Sequence, residues 1–214
     1  MKPAAIAATL GAALLIGACQ SPTPTPPALT PAPAAAALPP ARLPALQPGA
    51  TFVFRKGNGE EITSRVVAVD GSDVTWQADN GWTWTGKAFY WPVQSWQGER
   101  AGGSQEISGD AAALFPLMVG ERVAYRYQGR SRAAQAGWSG QGRCDVVAAE
   151  QITVPAGTFD TYKVVCEQGE DLSAPYRTRT WWYAPEIGHY VATLHQTRDG
   201  GINELERLVS YRAG

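Results

Sequence analysis

The stretch "CDVVAAEQITVPAGTFDTYKVVC", residues 144–166, places a turn between two runs of strand-forming residues. Val, Ile, Phe, Thr and Tyr are frequent in both runs, and these residues favour the pleated, half-buried surface of a sheet. Pro155 presets the backbone angle of a turn, and Gly157 tolerates the positive angles that turns require. The stretch therefore predicts a β-hairpin.

The ends of this hairpin are two cysteines. If the hairpin is symmetric about Pro155, Cys144 lies directly opposite Cys166. The same symmetry pairs Val146 with Val164 and Ala148 with Tyr162. Directly opposed residues have Cβ atoms ~4.5 to 5.5 Å apart, which is close to disulfide range. We therefore predict a Cys144–Cys166 disulfide; the alternative is two buried free thiols.

Similar strand patterns recur about every ten residues from Thr51 onward, separated by turn sequences such as "GNGE" and "RDGG". They include "AFYWPV" at 88–93. Only "GDAAALFPLM" at 109–118 has helical character, with Asp110 as a cap and Pro116 as a stop. The sequence predicts an all-β fold: an antiparallel β-barrel or curved half-barrel of about ten strands, with at most one short helix.

The chain begins with features of an export signal. Lys2 precedes an apolar run that is too short to span a bilayer, and residues 1–18 read as a signal peptide. Ile16 to Cys19, "IGAC", resembles a bacterial lipobox. The resemblance implies a lipid-bearing Cys19, and Gln20 in place of aspartate implies sorting to the outer membrane. The alternative is ordinary cleavage that leaves a free thiol.

Export has a consequence for the remaining cysteines. The chain has 3 cysteines, and lipidation of Cys19 leaves Cys144 and Cys166 as a pair in an oxidising compartment. This favours their disulfide independently of the hairpin register.

Residues 19–48 are a lipidated cysteine followed by a Pro- and Ala-rich segment that holds most of the chain's 16 prolines. Such a composition builds no core and favours extended polyproline II, so we predict a disordered tether. Residues 49–214 are long enough for one β-rich periplasmic domain. The formal net charge of the chain, −1, gives no sign of nucleic-acid binding.

Two motifs resemble a group of uncharacterised Gram-negative envelope proteins. They are "TVPAGTFDTYKVV" at 153–165 and "WWYAPEIG" at 181–188. The resemblance implies a curved antiparallel sheet, distantly similar to the half-barrels of the lipoprotein carrier system that shelter acyl chains. No catalytic residues accompany this family.

Catalytic and metal-binding constellations are absent from the sequence. The chain has 2 histidines, His189 and His195, which six residues of strand would hold ~20 Å apart. No nucleophile elbow or phosphate-binding loop occurs. We therefore predict a protein that is not an enzyme and that has no metal and no cofactor.

Aromatic residues are the most informative feature of the predicted domain. The chain has 8 tryptophans, and Trp82, Trp84 and Trp91 fall within one short segment. One interpretation is that these rings fill the interior of a barrel. The other is that they form a binding surface that stacks on sugars or lines an apolar groove.

A second segment, "YRTRTWWYAP", combines charge with aromatic rings. Alternation places Arg177, Arg179 and Trp181 on one face of a strand. Such a face could consist of cation–π and ion pairs in solvent. It could equally bind an anionic amphiphile, with the guanidinium groups on its headgroup.

The sequence as a whole indicates a non-enzymatic lipoprotein, anchored to the outer membrane and facing the periplasm. Its β-domain is expected to bind an apolar or amphipathic ligand or to play a structural role. A glycan- or peptidoglycan-contacting module is the alternative, and an envelope hydrolase is a third reading. The membrane, through the lipid anchor, and a lipid or glycan ligand are the expected partners.

Overall fold

The computed structural model describes residues 29–33, 38–132 and 137–214. Over these residues the chain forms strands, turns and loops and no helix. The strands are β1 (Ala32–Pro33), β2 (Thr51–Lys56), β3 (Glu61–Asp70), β4 (Asp73–Ala78), β5 (Thr83–Gly86), β6 (Ser95–Gln97), β7 (Gly102–Ser108), β8 (Arg122–Ser131), β9 (Gly137–Val154), β10 (Gly157–Gly169), β11 (Arg177–Ala184), β12 (His189–Thr197) and β13 (Ile202–Arg212). Within the described ranges, no segment is a helix of the length and hydropathy that crossing a bilayer requires. The predicted signal peptide and Cys19 lie outside the described residues.

Strands β2 to β13 form one closed antiparallel barrel of 12 strands. Each strand pairs with the next strand in the chain, and β13 pairs with β2. Closure matters because a sheet edge exposes unpaired N–H and C=O groups, and a barrel removes its edges. The all-β barrel prediction is confirmed. The open half-barrel is wrong, and the strand number exceeds the expected ten.

The strand count differs for two reasons. β6 has only 3 residues, and β7 is polar and begins with two glycines, so both lack the apolar alternation by which strands are recognised in a sequence. Conversely, "AFYWPV" at 88–93 is rich in strand formers but lies in the loop between β5 and β6. The predicted helix at 109–118 is also replaced by turns. There the Asp110 carboxylate accepts a 2.8 Å hydrogen bond from the Ala112 amide, which stabilises a single turn.

The β9–β10 hairpin has the predicted register at its cysteines. Val154 pairs with Gly157 across a two-residue turn, one position away from the symmetry about Pro155. A register shift at Lys163/Val164 restores that symmetry. The remaining pairs are Val146 with Val164, as predicted, and Tyr162 with Ala149 rather than Ala148.

The disulfide between Cys144 and Cys166 is present, with a Cα–Cα distance of 4.1 Å. Both cysteines are buried among the side chains of the barrel interior. The bridge therefore joins two directly paired strands from the inside of the barrel, and the predicted disulfide is confirmed.

Aromatic rings inside the barrel lie over glycines of the neighbouring strand. Tyr125 is paired with Gly142 and Tyr127 with Gly140. A Cβ atom on Gly142 would stand 2.2 Å from Cζ of Tyr125, so only glycine fits there. A glycine opposite an aromatic residue lets the ring lie flat on the sheet and lets the sheet curve strongly.

The barrel has two different ends because antiparallel strands alternate in direction. β2 begins and β13 finishes at the same end, which we call the tether end; the opposite end is the far end. The long loops 87–94 and 109–121 both lie at the tether end. The Tyr90 hydroxyl donates a hydrogen bond to the Ala111 carbonyl and so joins these two loops. Together they cover this end of the interior.

Part of the predicted tether contacts the barrel. The Tyr162 hydroxyl donates hydrogen bonds to the carbonyl oxygens of Leu38, at 2.9 Å, and Pro39, at 3.0 Å. Ala41 is buried and forms a bridge with Leu117. The last part of the segment assigned to the tether therefore lies against the tether end of the barrel.

Charged side chains occupy the inner face near the far end. Glu206 is directly opposed to Lys56, and both share the face of Phe54 and Leu208, which lies inside the barrel. Lys56 Nζ lies 3.9 Å from a carboxylate oxygen of Glu204. Burial, with a smaller contribution from the Glu204 charge, raises the pKa of Glu206 to about 7.

Reduction of the disulfide is expected to lower the free energy of unfolding by about 3 kcal/mol, because the bridge closes a loop of moderate length. Urea unfolding with and without reductant measures the change. Reductant should have no effect on a Cys144→Ala/Cys166→Ala double variant. An unchanged unfolding midpoint on reduction of the wild type would contradict the stabilising role.

The raised pKa of Glu206 makes stability depend on pH. The unfolded chain loses this proton near 4.5 and the folded chain near 7, so Glu206 lowers stability progressively between these values and fully above them. Glu206→Gln is therefore expected to raise the free energy of unfolding at pH 8 and to leave it unchanged at pH 4. Glu186→Gln, at an exposed position in the turn between β11 and β12, serves as the control. Equal effects of Glu206→Gln at both pH values would refute the assignment.

Candidate functional site

The barrel encloses a cavity of about 710 Å³. This volume falls within the range of roughly 300 to 1,000 Å³ that ligand pockets occupy. Aromatic side chains from strands and loops around the whole barrel line it: Phe54, Trp76, Trp84, Phe89, Tyr90, Trp91, Trp96, Tyr125, Tyr127, Trp138, Tyr176, Trp181 and Tyr190. The cavity is therefore a largely apolar space inside a closed sheet.

Stacked rings form one wall of the cavity. Trp76 on β4 and Trp84 on β5 are directly paired, and their rings are parallel at 6.0 Å between centroids. Phe54 on β2 stacks on Tyr190 of β12 at 4.7 Å. All four side chains line the cavity, so their rings point into the barrel.

The loop 87–94 contributes the cover at the tether end. Phe89 stacks on Tyr183 with 4.9 Å between ring centroids, and Trp91 lies 4.8 Å from the ring of Tyr125. The segment predicted as a strand thus turns its aromatic rings into the barrel as a loop. Its apolar character comes from this burial.

Two arginines on β11 bring positive charge to the cavity. Arg179 lies over the ring of Trp181, 5.1 Å from its centroid, and its Nη2 donates a hydrogen bond to His195 Nδ1 at 3.3 Å. Arg177 donates a hydrogen bond to Gln168 and lies over the ring of Tyr176. Burial, and then the nearby charge of Arg177, lowers the pKa of Arg179, which nevertheless remains a cation.

Three buried polar atoms beside Arg179 have no hydrogen-bond partner in the described chain: Trp181 Nε1, Thr193 Oγ1 and His195 Nε2. Trp181 is paired with Thr193 and Arg179 with His195, so the three side chains share one face with Arg179. Trp181 is 7% exposed and Thr193 is 5% exposed. Unsatisfied groups at such depth are costly, and each calls for a structural or functional reason.

The charge around the cavity is one-sided. Of the residues that the structure describes, Lys87, Arg177 and Arg179 line the cavity, and no aspartate or glutamate does. Lys87 has a carboxylate nearby, with Nζ 3.8 Å from an Asp73 oxygen. Across the described ranges, neither Arg177 nor Arg179 has a carboxylate within ion-pair distance. The cavity is thus aromatic and basic.

Five of the six residues predicted to bind a ligand line this one cavity: Trp84, Trp91, Arg177, Arg179 and Trp181. The sixth, Trp82, is outside it and 38% exposed. Trp82 precedes the first residue of β5, and its ring covers Gly98. Although Trp82 is only two residues from Trp84, the two indoles therefore do not lie in one site.

Several lining residues were missed in the sequence. Tyr125 and Tyr127 alternate with the arginines of "RVAYRYQ", and that alternation could have identified them as inward-facing. Trp76 has the same signal in "DVTWQA". Tyr190 is the second residue of β12, and the pairing of β11 with β12 shifts register at Trp182/Tyr183. The face on which Tyr190 lies therefore could not be read from spacing alone.

The histidines are structural neighbours of aromatic rings. His189 stacks on Phe52 with 4.1 Å between centroids, and burial lowers its pKa to about 4. Burial likewise lowers the pKa of His195 to about 4, and the charge of Arg179 adds to this effect. Both imidazoles are therefore neutral at pH 7. In the described part of the chain, no group of three His, Cys, Asp or Glu side chains is arranged to hold a metal.

No protein-family model matches the sequence, and no curated protein matches it. Among solved structures, the hypothetical lipoprotein YmcC from Escherichia coli has a TM-score of 0.50 at 10% identity, over 80% of this chain and 90% of YmcC. A predicted exported protein from Bacteroides fragilis with a YmcC-like fold has a TM-score of 0.46 at 14% identity, over 80% of this chain and 99% of its own. A predicted lipoprotein from Parabacteroides distasonis has a TM-score of 0.43 at 14% identity, over 82% of this chain and 100% of its own. The chain is thus similar to YmcC in fold.

Proposed function

We propose that this protein is a non-enzymatic envelope lipoprotein whose barrel binds an amphipathic ligand in its internal cavity. The observation that carries the proposal is the lining of the cavity, which combines aromatic rings with two arginines and includes no carboxylate among the described residues. Aromatic walls favour apolar chains. Arginines without a carboxylate partner favour a polar or anionic end.

An amphiphile fits this interior better than a sugar does. A sugar offers hydroxyl groups on all sides, and most of them would lose their hydrogen bonds against rings such as Trp76 and Phe54. An apolar chain loses none. The two arginines without a carboxylate partner among the described residues lie together with Gln168 on β10 and β11, whereas Ser64, Lys87, Gln105 and Ser131 are scattered over the other walls. The remaining walls are mostly aromatic and aliphatic.

A glycan contact remains a second candidate function at a different place. Trp82 is exposed on the outer surface and lies beside a polar cleft that includes Thr83, Gln97 and Ser104. An exposed indole next to hydroxyl and amide groups is the usual form of a sugar-stacking surface. This cleft adjoins the cavity, since Trp84, Trp96 and Ser131 line both, and Trp82 is the aromatic residue that belongs to the cleft side alone.

The proposed address is the outer membrane, facing the periplasm. The lipobox at Ile16–Cys19 supports lipidation of Cys19, and Gln20 supports outer-membrane sorting. The Cys144–Cys166 disulfide is of the kind that forms in exported proteins. The similar fold of YmcC, a hypothetical lipoprotein, supports a lipoprotein of the envelope and does not distinguish between its membranes. Residues 19–28 and the rest of the tether would hold the barrel near the membrane surface.

Ligand binding predicts that lipid is recovered with the soluble form of the protein. This form is residues 20–214, exported behind a cleavable signal without a lipobox; it contains every residue that the structure describes. Mass spectrometry of the extracted protein should find a bound amphiphile. Gly86→Phe should abolish lipid recovery, because Gly86 lines the cavity and a phenylalanine ring would fill part of it. The backbone accepts the side chain, since a Cβ atom on Gly86 would have its nearest neighbour, Val93 Cα, at 3.9 Å.

Trp82→Ala is the matched control, since Trp82 lies outside the cavity. It should retain bound lipid, and under the second candidate function it should lose binding to peptidoglycan in pull-down. Recovery of no lipid from the wild type would contradict the proposed function. Equal recovery from wild type and a folded Gly86→Phe variant would place the ligand elsewhere.

Lipidation of Cys19 predicts incorporation of labelled palmitate into the wild type in growing cells. Cys19→Ser should remove the label, because the thiol is the site of acylation. The soluble form described above should also remain unlabelled. A wild type that carries no more label than Cys19→Ser would exclude the lipid anchor.

A further inference from the structure

We infer that the cavity takes a single-chain amphiphile with a compact anionic headgroup, held by Arg179 and Trp181, with its chain directed toward the tether end of the barrel. The inference rests on the proposed function and adds the class and orientation of the ligand. The chemistry of the headgroup is that of a carboxylate or a phosphate.

The cavity is polarised along the barrel axis. Arg177 begins β11 and Gln168 is next to the end of β10, so both lie at the far end. Phe89 and Trp91 belong to the loop that covers the tether end. Lys87 is in the same loop, but its Nζ lies 3.8 Å from an Asp73 oxygen, so the cavity's cations without a carboxylate partner among the described residues are those of β11. A ligand with one polar and one apolar end therefore has one favourable orientation.

The groups beside Arg179 that have no hydrogen-bond partner in the described chain are mainly donors. A guanidinium has five N–H donors, and the hydrogen bond to His195 Nδ1 uses one donor of Arg179. Because Nδ1 accepts this bond and the imidazole is neutral, His195 Nε2 carries a hydrogen, and it has no partner. Trp181 Nε1 is a third donor without a partner. A group made only of acceptor oxygens satisfies such a site.

An anionic headgroup also compensates the positive charge of Arg179. Arg179 is largely desolvated and has no ion pair within the described residues, which is costly for a cation. Glu204 and Glu206 on β13 are the nearest acids along the same face, across His195 and Thr193. Lys56 lies beside Glu204. Glu206, whose pKa is about 7, is about half protonated at neutral pH, so Glu204 and Glu206 compensate the charge of Arg179 only in part.

The size of the cavity favours one chain. A volume of about 710 Å³ lies in the range of pockets for small ligands, and the loop 87–94 fills the tether end with its own rings. Trp84 and Trp181 line the same space, so one apolar chain would contact both rings. We therefore expect a fatty acid or a lysophospholipid rather than a two-chain phospholipid.

The test compares ligands that differ in headgroup alone. Palmitate and hexadecanol, below their aggregation concentrations, are titrated into delipidated soluble protein (residues 20–214) and followed by tryptophan fluorescence. Wild type is expected to bind palmitate at least tenfold more tightly than hexadecanol. Arg179→Gln should weaken palmitate about ten- to hundredfold and leave hexadecanol unchanged, since a hydrogen bond to a charged group carries that free energy.

Further variants separate binding from folding. Trp181→Phe keeps the ring and removes the donor, and should weaken palmitate several-fold while leaving hexadecanol unchanged. Arg179→Lys should recover part of the palmitate affinity. Arg126→Gln, on the exposed outer face of β8, is the matched control and should change neither affinity. Thermal unfolding confirms that each variant is folded.

The outcomes distinguish this inference from the proposed function. Equal affinity of wild type for palmitate and hexadecanol, or equal weakening of both by Arg179→Gln, overturns the anionic headgroup and leaves amphiphile binding intact. Failure of both probes to bind overturns the proposed function as well. Lysophosphatidate tests a phosphate headgroup. If inorganic phosphate binds as tightly as lysophosphatidate, the site binds a free anion, and the proposal that the ligand has an apolar chain is overturned.

Discussion

The pairing of β13 with β2 is the interaction on which the rest of the structure depends. It joins the last strand of the barrel to the first, with Leu208 opposite Phe54 and Tyr211 opposite Phe52. Without it, the sheet would have two open edges and its inner face would be exposed to water. With it, the aromatic rings line an enclosed space, and the arginines of β11 are taken out of solvent.

A closed barrel needs a strongly curved wall and a covered end, and a few residue types provide both. Glycines such as Gly140 and Gly142 let tyrosine rings lie flat on the curved wall. The loop 87–94 covers the tether end, and the disulfide fixes β9 to β10 from inside. The barrel is therefore rigid around a space that its own side chains leave open. An unfilled space beside an unpaired cation is an arrangement that a ligand, more than packing, explains.

Much of the local structure could be predicted because it depends on short-range patterns. Alternation and turn residues define the β9–β10 hairpin, so the register of Cys144 and Cys166 follows from the sequence. The shared face of Arg177, Arg179 and Trp181 follows from the period of a strand. The loop conformation of "AFYWPV" could not be predicted, because burial inside a barrel and pairing in a sheet both favour apolar and aromatic residues. Trp82 was misplaced because one residue outside a strand is enough to change its direction.

The most direct test of the closed barrel is hydrogen exchange of the backbone amides, measured residue by residue in the soluble protein. If β13 and β2 are paired, the amides of Arg55 and Arg207, which are directly opposed across this seam, exchange about as slowly as those of the β9–β10 hairpin. If the sheet is open there, these amides exchange quickly, as at an exposed edge, while β9 and β10 remain protected. That result would contradict the enclosed cavity and everything derived from it.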